Sequence, residues 1–263
     1  MTTAAPAQVL GRHVWSELMT TDMKTAETFY DTVVGWTSEP FANSRNPYIS
    51  FNRSGGTPAA GLMTIPDGMN FPPSWSMYIA VPDLDEALAK VKRLGGSELS
   101  ELIEIAGIGR MQMVKDPQGA AFYVIQPEPR EGAGDPEPAV GEASWIELVT
   151  TDLPGAVAFY RDLFGWTPGD AHDMGPMGTY QLFAIDGVPS GGMMTKPKEV
   201  PAPRWQYYFN VADIDAAEAR VKERGGQILH GPMEVPGGSW IVQCTDPQGA
   251  LFALLEPNMA PAS

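Results

Sequence analysis

The sequence predicts an α+β protein made by tandem duplication: two domains of about 130 residues, each built from two βαβββ units. Three observations carry this. The second half of the chain repeats the first at a nearly constant offset. A Pro/Gly-rich stretch lies between the halves. Within each half, a strand, an Asp and a helix ended by Gly occur twice in succession.

Sliding the chain by 130 residues places Trp15, Glu17 and Leu18 on Trp145, Glu147 and Leu148, and Thr20, Thr21 and Asp22 on Thr150, Thr151 and Asp152. Phe29 and Tyr30 fall on Phe159 and Tyr160, and Gly35 and Trp36 on Gly165 and Trp166. Trp75 and Tyr78 meet Trp205 and Tyr208, and Asp116-Pro117-Gln118-Gly119 meets Asp246-Pro247-Gln248-Gly249. Only the stretch between Gly35 and Trp75 needs small compensating gaps. These matches set a first domain at 10–127, a linker at 128–139 and a second domain at 140–259. The Pro and Gly of the linker oppose both helix and sheet pairing.

In the first domain, 15–19 reads as a strand and 23–34 as a helix capped by Asp22 and ended by Gly35. Strands follow near 36–41, 48–52 and 59–64. The second unit opens with a strand at 75–81 and a helix at 84–94, capped by Asp83 and ended by Gly95 and Gly96. Strands near 99–103, 110–114 and 121–126 complete it. Asp152 and Asp213 cap the matching helices, and Asp116 and Asp246 form turns before the last strands. The runs at 107–109 and 237–238 are hairpin turns, since neither precedes a helix as a phosphate loop does.

Composition narrows the function. A net charge of −15 and a pI near 4.5 oppose nucleic-acid binding, which needs cations against phosphate. No apolar run is long enough for a membrane helix, so no membrane partner is expected. Residues 1–10 lack the basic start and apolar block of a secretory signal and read as a short lead. Cys244 is the single cysteine, which leaves no intrachain disulfide or Cys-based zinc site and suits a cytoplasmic location.

A strand, an Asp, a helix ending in Phe-Tyr…Gly-Trp, and a later Asp-Pro-Gln-Gly before a final strand resemble the vicinal oxygen chelate superfamily of glyoxalase I, bleomycin-resistance proteins and extradiol dioxygenases. The resemblance covers nearly the whole chain, once per domain, and is nearest to a two-domain, glyoxalase-like subgroup. It implies that each pair of βαβββ units curls into a half-open barrel, helices outside and ligand inside. It also implies a divalent metal gripped by His, Glu or Gln from the first and last strands of units. The positions matching those ligands are Trp15, Ser76, Trp145 and Gln206 on first strands, and Tyr123 and Ala253 on last strands. Strands 59–64 and 191–195 contain no Glu or His. His13 lies near the first cup, while His172 and His230 lie in turn-like contexts. No metal and no other cofactor is therefore expected.

Strand alternation assigns faces. Leu18, Ile79, Val81, Phe122 and Val124 fall on the helix-covered side. The opposite face carries Trp15, Glu17, Tyr78, Tyr123 and Met111 in the first domain, and Trp145, Glu147, Gln206, Tyr208 and Trp240 in the second. Such a lining suits a planar or amphiphilic organic ligand. Glu17 and Glu147, each near a Trp, are candidate general bases, because a carboxylate in such a cup has a raised pKa. Three readings follow. The first is a metal-free binder of a small aromatic or amphiphilic molecule. The second is a lyase, isomerase or hydroxylase-like enzyme using Glu17 or Glu147, with or without a non-standard metal. The third is a structural or interaction protein whose cups are filled by side chains. Single-domain relatives dimerise to complete their barrels, so the duplication implies a monomer with an internal pseudo-dimer.

Overall fold

The computed structural model of the chain describes residues 10–41, 46–66, 68, 71–128 and 139–258. Residues 1–9 of the expected lead and 129–138 of the expected linker lie outside them. Four βαβββ modules follow one another. The first runs β1 (His13–Thr20), α1 (Met23–Val33), β2 (Thr37–Pro40), β3 (Tyr48–Asn52) and β4 (Pro58–Thr64). The second runs β5 (Ser74–Ala80), α2 (Leu84–Arg93), β6 (Ser97–Glu98), β7 (Ile103–Ile105), β8 (Gly109–Lys115) and β9 (Ala121–Pro127). The third runs β10 (Ala143–Thr150), α3 (Leu153–Phe164), β11 (Thr167–Asp173), β12 (Thr179–Ile185) and β13 (Val188–Thr195). The fourth runs β14 (Arg204–Asn210), α4 (Ile214–Glu223), β15 (Gln227–Glu234), β16 (Trp240–Thr245) and β17 (Leu251–Glu256).

Each helix starts where its aspartate takes a backbone N–H of the first turn: Asp22 from Thr25, Asp83 from Glu86, Asp152 from Gly155 and Asp213 from Ala216. In every module the strand before the helix lies parallel to the last strand, and the remaining pairs are antiparallel. The sheets are therefore mixed, with hydrogen-bonded orders β2-β3-β4-β1, β5-β9-β8-β6, β11-β12-β13-β10 and β14-β17-β16-β15 within the modules. The strand expected at 99–103 is instead a gap between two short strands, since β6 ends at Glu98 and β7 begins at Ile103. Ser100 causes the break. The Leu99 N–H still reaches the Met113 carbonyl at 2.8 Å, but the Ser100 hydroxyl accepts from the Met113 N–H and its carbonyl accepts from Gln112 Nε2 at 2.7 Å, so side-chain bonds interrupt the ladder at Ser100. His172 and His230, expected in turn-like contexts, sit within the outer strands β11 and β15, because the flanking Gly and Pro are absorbed as ladder irregularities.

The compact bodies do not follow the halves of the sequence. Among the described residues, one comprises 10–14, 76–128 and 146–205; the other comprises those of 15–75, 139–145 and 206–258. Each body thus pairs a module of the first repeat with one of the second. In the second body, the Trp75 indole donates to Tyr30 Oη at 2.9 Å, and Tyr30 donates to Asp246 Oδ2 at 3.2 Å. In the first body, Trp205 donates to Tyr160 at 3.1 Å, and Tyr160 to Asp116 Oδ2 at 3.0 Å. Rings pack around each relay. Phe29 lies edge-on to Phe252 at 5.7 Å in one body, and Phe122 lies 5.7 Å from Tyr160 in the other. Trp36 donates to Gly141 O and Trp166 to Gly11 O, both at 2.8 Å. Gly11 and Gly141 have φ near +78° and +83°, and a Cβ there would meet the visiting indole nitrogen at 2.8 and 2.5 Å. Gln248 completes the seam in the second body: its Oε1 accepts from Thr20 Oγ1 at 2.6 Å and its Nε2 donates to Asp22 O at 2.8 Å.

Asp116 and Asp246 form their turns as the sequence suggests, their Oδ1 atoms accepting backbone N–H groups two to four residues on. Burial nevertheless raises both carboxyl pKa values, against those hydrogen bonds. A carboxyl whose folded pKa is raised stabilises the fold most below its unfolded value of ~3.9, and that contribution is lost as pH rises through the folded value. Asp246→Asn keeps an acceptor for the turn but does not titrate. The melting temperature of the parent relative to Asp246→Asn is therefore expected to fall as pH rises from ~4 toward neutrality; a gap that widens in the parent's favour contradicts this.

Cys244 faces the core of the second body, and burial pushes its thiol up to about 12. A thiol reagent at pH ~8 is expected to leave the native chain unmodified and to label one equivalent after denaturation. Labelling of the native chain at the rate of the denatured chain contradicts this burial.

Candidate functional site

The strand faces fall as alternation requires. Leu18, Ile79, Val81, Phe122 and Val124 are buried under the helices. The opposite face carries the polar and aromatic groups, and its most organised feature occurs once in each body.

In the second body, Glu17 on β1 pairs in register with Gly61 on β4. Tyr48, at the start of β3, lies diagonally across from Gly61 and sends its ring over that residue. A Cβ on Gly61 would stand 1.8 Å from Tyr48 Oη, so only glycine admits the ring. The Tyr48 hydroxyl accepts from Trp15 Nε1 at 3.0 Å and donates to Glu17. Burial first, and the Glu17 charge second, hold the phenol pKa well above its ordinary value. Tyr48 therefore stays protonated as a donor. In the first body, Glu147 pairs in register with Gly192, and Tyr180 donates to Glu147 Oε2 at 3.0 Å. A Cβ on Gly192 would lie 2.4 Å from Tyr180 Oη. Both carboxylates are buried, each bonded to a phenol reaching over a glycine.

Sequence reasoning placed Glu17 and Glu147 here but missed Tyr48, Tyr180 and the two glycines. Their signal was present: Tyr48 and Tyr180, like Gly61 and Gly192, are repeat equivalents once the compensating gaps of the 35–75 stretch are inserted.

The other expected lining residues divide. Tyr78 and Tyr123, paired in register on β5 and β9, stack with ring centroids 4.3 Å apart and planes 6° from parallel. Met111 is buried on β8 between Ile103 and Ile125. Tyr208 pairs with Ala253, and its hydroxyl accepts from Gln243 Nε2 at 2.8 Å. Gln206 is buried on the same face of β14, two residues before Tyr208. Trp145 is half-buried on β10. Trp240 sits at the start of β16, paired with Glu256 and Glu234, and is 41% exposed, making it the most open of the set.

The residues present do not fit the divalent ion that the resemblance implies. The ligand positions hold indoles, a hydroxyl, a carboxamide, a phenol and a methyl group, a donor set unsuited to a hard or borderline cation. Among the described residues, no three His, Cys, Asp or Glu side chains are grouped to hold a metal. No helix among the described residues is long and apolar enough to cross a membrane.

Comparisons agree with this architecture. Residues 15–125 match the glyoxalase-like domain family, and residues 143–254 match the glyoxalase/bleomycin resistance protein/dioxygenase superfamily. CFP32 of Mycobacterium tuberculosis, provisionally named a glyoxylase, is 32% identical over 247 residues, covering 92% of this chain and 94% of its own. The anthracycline biosynthesis protein DauV of Streptomyces sp. is 30% identical over 270 residues, covering 97% and 95%. Among solved structures, the 2,3-dioxygenase LapB of Pseudomonas superposes with a TM-score of 0.66 at 12% identity, covering 97% of this chain and 95% of that one. A Mn(II)-bound glyoxalase from Novosphingobium aromaticivorans superposes at 0.64 and 17% identity, covering 94% and 82%. At such identities the structural likeness speaks for the fold alone. With two family matches spanning most of its length, the chain belongs to the glyoxalase/bleomycin resistance protein/dioxygenase superfamily.

Proposed function

We propose that the chain binds a small planar aromatic or amphiphilic molecule on the ring-lined faces of its sheets, without the metal of its enzymatic relatives. One observation carries the reading: rings dominate that face, and the glutamates placed on it, Glu17 and Glu147, are each already bonded to a phenol. Aromatic side chains give flat, polarisable contact area with little loss of rotamer freedom, and buried polar groups orient the ligand. DauV lends support, since anthracyclines carry a planar polycyclic ring system. In this reading the chain acts as a monomer with an internal pseudo-dimer, supported by the bonds that cross between the repeats. Tryptophan emission and melting temperature during titration with anthraquinone-2-sulfonate test the proposal. Saturable quenching with a rise in melting temperature is expected, ligand at ~100 times Kd adding about 2.7 kcal/mol to stability. Unchanged emission and melting temperature would overturn it.

The recurrence of a buried carboxylate–phenol pair in both repeats favours a second reading, an enzyme in which Glu17 or Glu147 moves a proton. There, Glu17→Gln and Glu147→Gln abolish turnover and spare affinity. A pure binder shows no turnover to lose.

A further inference from the structure

We infer that the second repeat holds the ligand and that Gln206 is the residue that selects it, through a hydrogen bond to a carbonyl or phenolate oxygen on a planar ring system. The inference rests on the binding reading above and adds to it a repeat, a donor and a ligand class. Around the shared Tyr78 and Tyr208, three equivalent positions distinguish the repeats: Ser76 against Gln206, Met113 against Gln243 and Tyr123 against Ala253. In the first repeat the phenol of Tyr123 lies flat on that of Tyr78, and this stack occupies the face. In the second, Ala253 stands in register with Tyr208, so the second ring of that stack is gone. Two carboxamides replace the hydroxyl and the thioether. Gln243 uses its Nε2 on the Tyr208 hydroxyl.

Gln206 does not use its own. The residue is only 4% exposed, and its Nε2 is buried without a hydrogen-bond partner among the described residues. Its neighbours in the strand, Trp205 and Tyr207, point to the other face by alternation, so Gln206 shares the face of Tyr208. A buried amide donor without an acceptor is costly and rare in folded chains. An acceptor oxygen on the ligand removes that cost, which makes the donor a filter. A flat hydrocarbon leaves the amide unpaired, and a quinone or hydroxyarene satisfies it.

Two probes isolate the filter: anthraquinone-2-sulfonate, and anthracene-2-sulfonate, which keeps the ring frame and the anionic group but lacks the carbonyl oxygens. Calorimetric titration is expected to give one site per chain, with the anthraquinone bound about tenfold more tightly. Gln206→Met, unbranched and of similar length, is expected to erase that preference, weakening the anthraquinone about tenfold and leaving the anthracene unchanged. Its melting temperature without ligand should equal or exceed that of the parent, because an unpaired donor has been removed; Gln206→Leu repeats both readouts. Retained preference in the variants, two sites per chain, or a melting temperature several degrees lower would overturn the role of Gln206 while leaving the binding reading intact. If neither probe binds, the binding reading fails and this inference fails with it.

Discussion

Asp116→Ala is expected to lower stability by about 3–5 kcal/mol, a drop in melting temperature of roughly 10 °C for a chain of this size. The residue is almost fully buried, and its carboxylate accepts the backbone N–H groups of Gln118, Gly119 and Ala120 as well as the Tyr160 hydroxyl. Alanine removes this acceptor from the Gln118 and Ala120 N–H groups and from the Tyr160 hydroxyl, each at a cost on the order of 1 kcal/mol or more, whereas the Gly119 N–H keeps the Asp116 carbonyl. Asp246→Ala removes the matching site, where Gln248, Ala250 and Tyr30 donate. Tyr160→Phe deletes the bond to Asp116 and the one accepted from Trp205 but leaves the turn intact, so its effect should be smaller, about 1–3 kcal/mol. A double-mutant cycle of Asp116→Ala with Tyr160→Phe should return a coupling of about 0.5–3 kcal/mol. Denaturant melts measure all four species. Strictly additive losses would mean that the bond across the repeats contributes nothing.

Residues 1–134 and 135–263, produced as separate polypeptides, are expected not to fold as independent monomers. Each compact body draws modules from both, so neither fragment contains a complete core. Without the second fragment, Phe29 loses Phe252, Tyr30 loses Asp246 and Trp36 loses the carbonyl of Gly141. Without the first, Tyr160 loses Asp116 and Trp166 loses the carbonyl of Gly11. Burying a large aromatic side chain contributes about 1.5–3 kcal/mol, so these losses are comparable to the whole margin of about 5–15 kcal/mol by which a domain is folded. Each fragment alone should be unfolded or self-associated, and equimolar mixing should restore a one-to-one complex with a single cooperative transition. A fragment that melts cooperatively as a monomer would refute this.

The sequence is a good guide wherever the signal is local. Helix starts follow from Asp22, Asp83, Asp152 and Asp213, and strand faces follow from alternation through Leu18 and Phe122, because capping and pleating depend on residues a few positions apart. Glu17 and Glu147 could be placed for the same reason. Partners distant in sequence could not. Tyr30 and Asp246 are 216 positions apart, and the Asp-Pro-Gln-Gly run has a sufficient local explanation as a turn, which conceals its second task. Tyr48 escaped because it lies where the repeats slip, and its pairing with Glu17 depends on a glycine of the following strand, β4. The split between β6 and β7 escaped because a serine side chain, not a backbone pattern, interrupts the ladder.

The crossed bonds also bear on how the two copies could drift apart after duplication. A change at Tyr30 is answered in the other copy, at Asp246, and a change at Tyr160 at Asp116. Neither copy can alter its Phe-Tyr or Asp-Pro-Gln-Gly letters without injuring its sibling. Tyr123 and Ala253, which stand in register with Tyr78 and Tyr208 of their own repeats, are places where the siblings have become different. The likeness that first betrays the duplication is thus a record of mutual obligation, and the divergence marks the places where each copy answers only to itself.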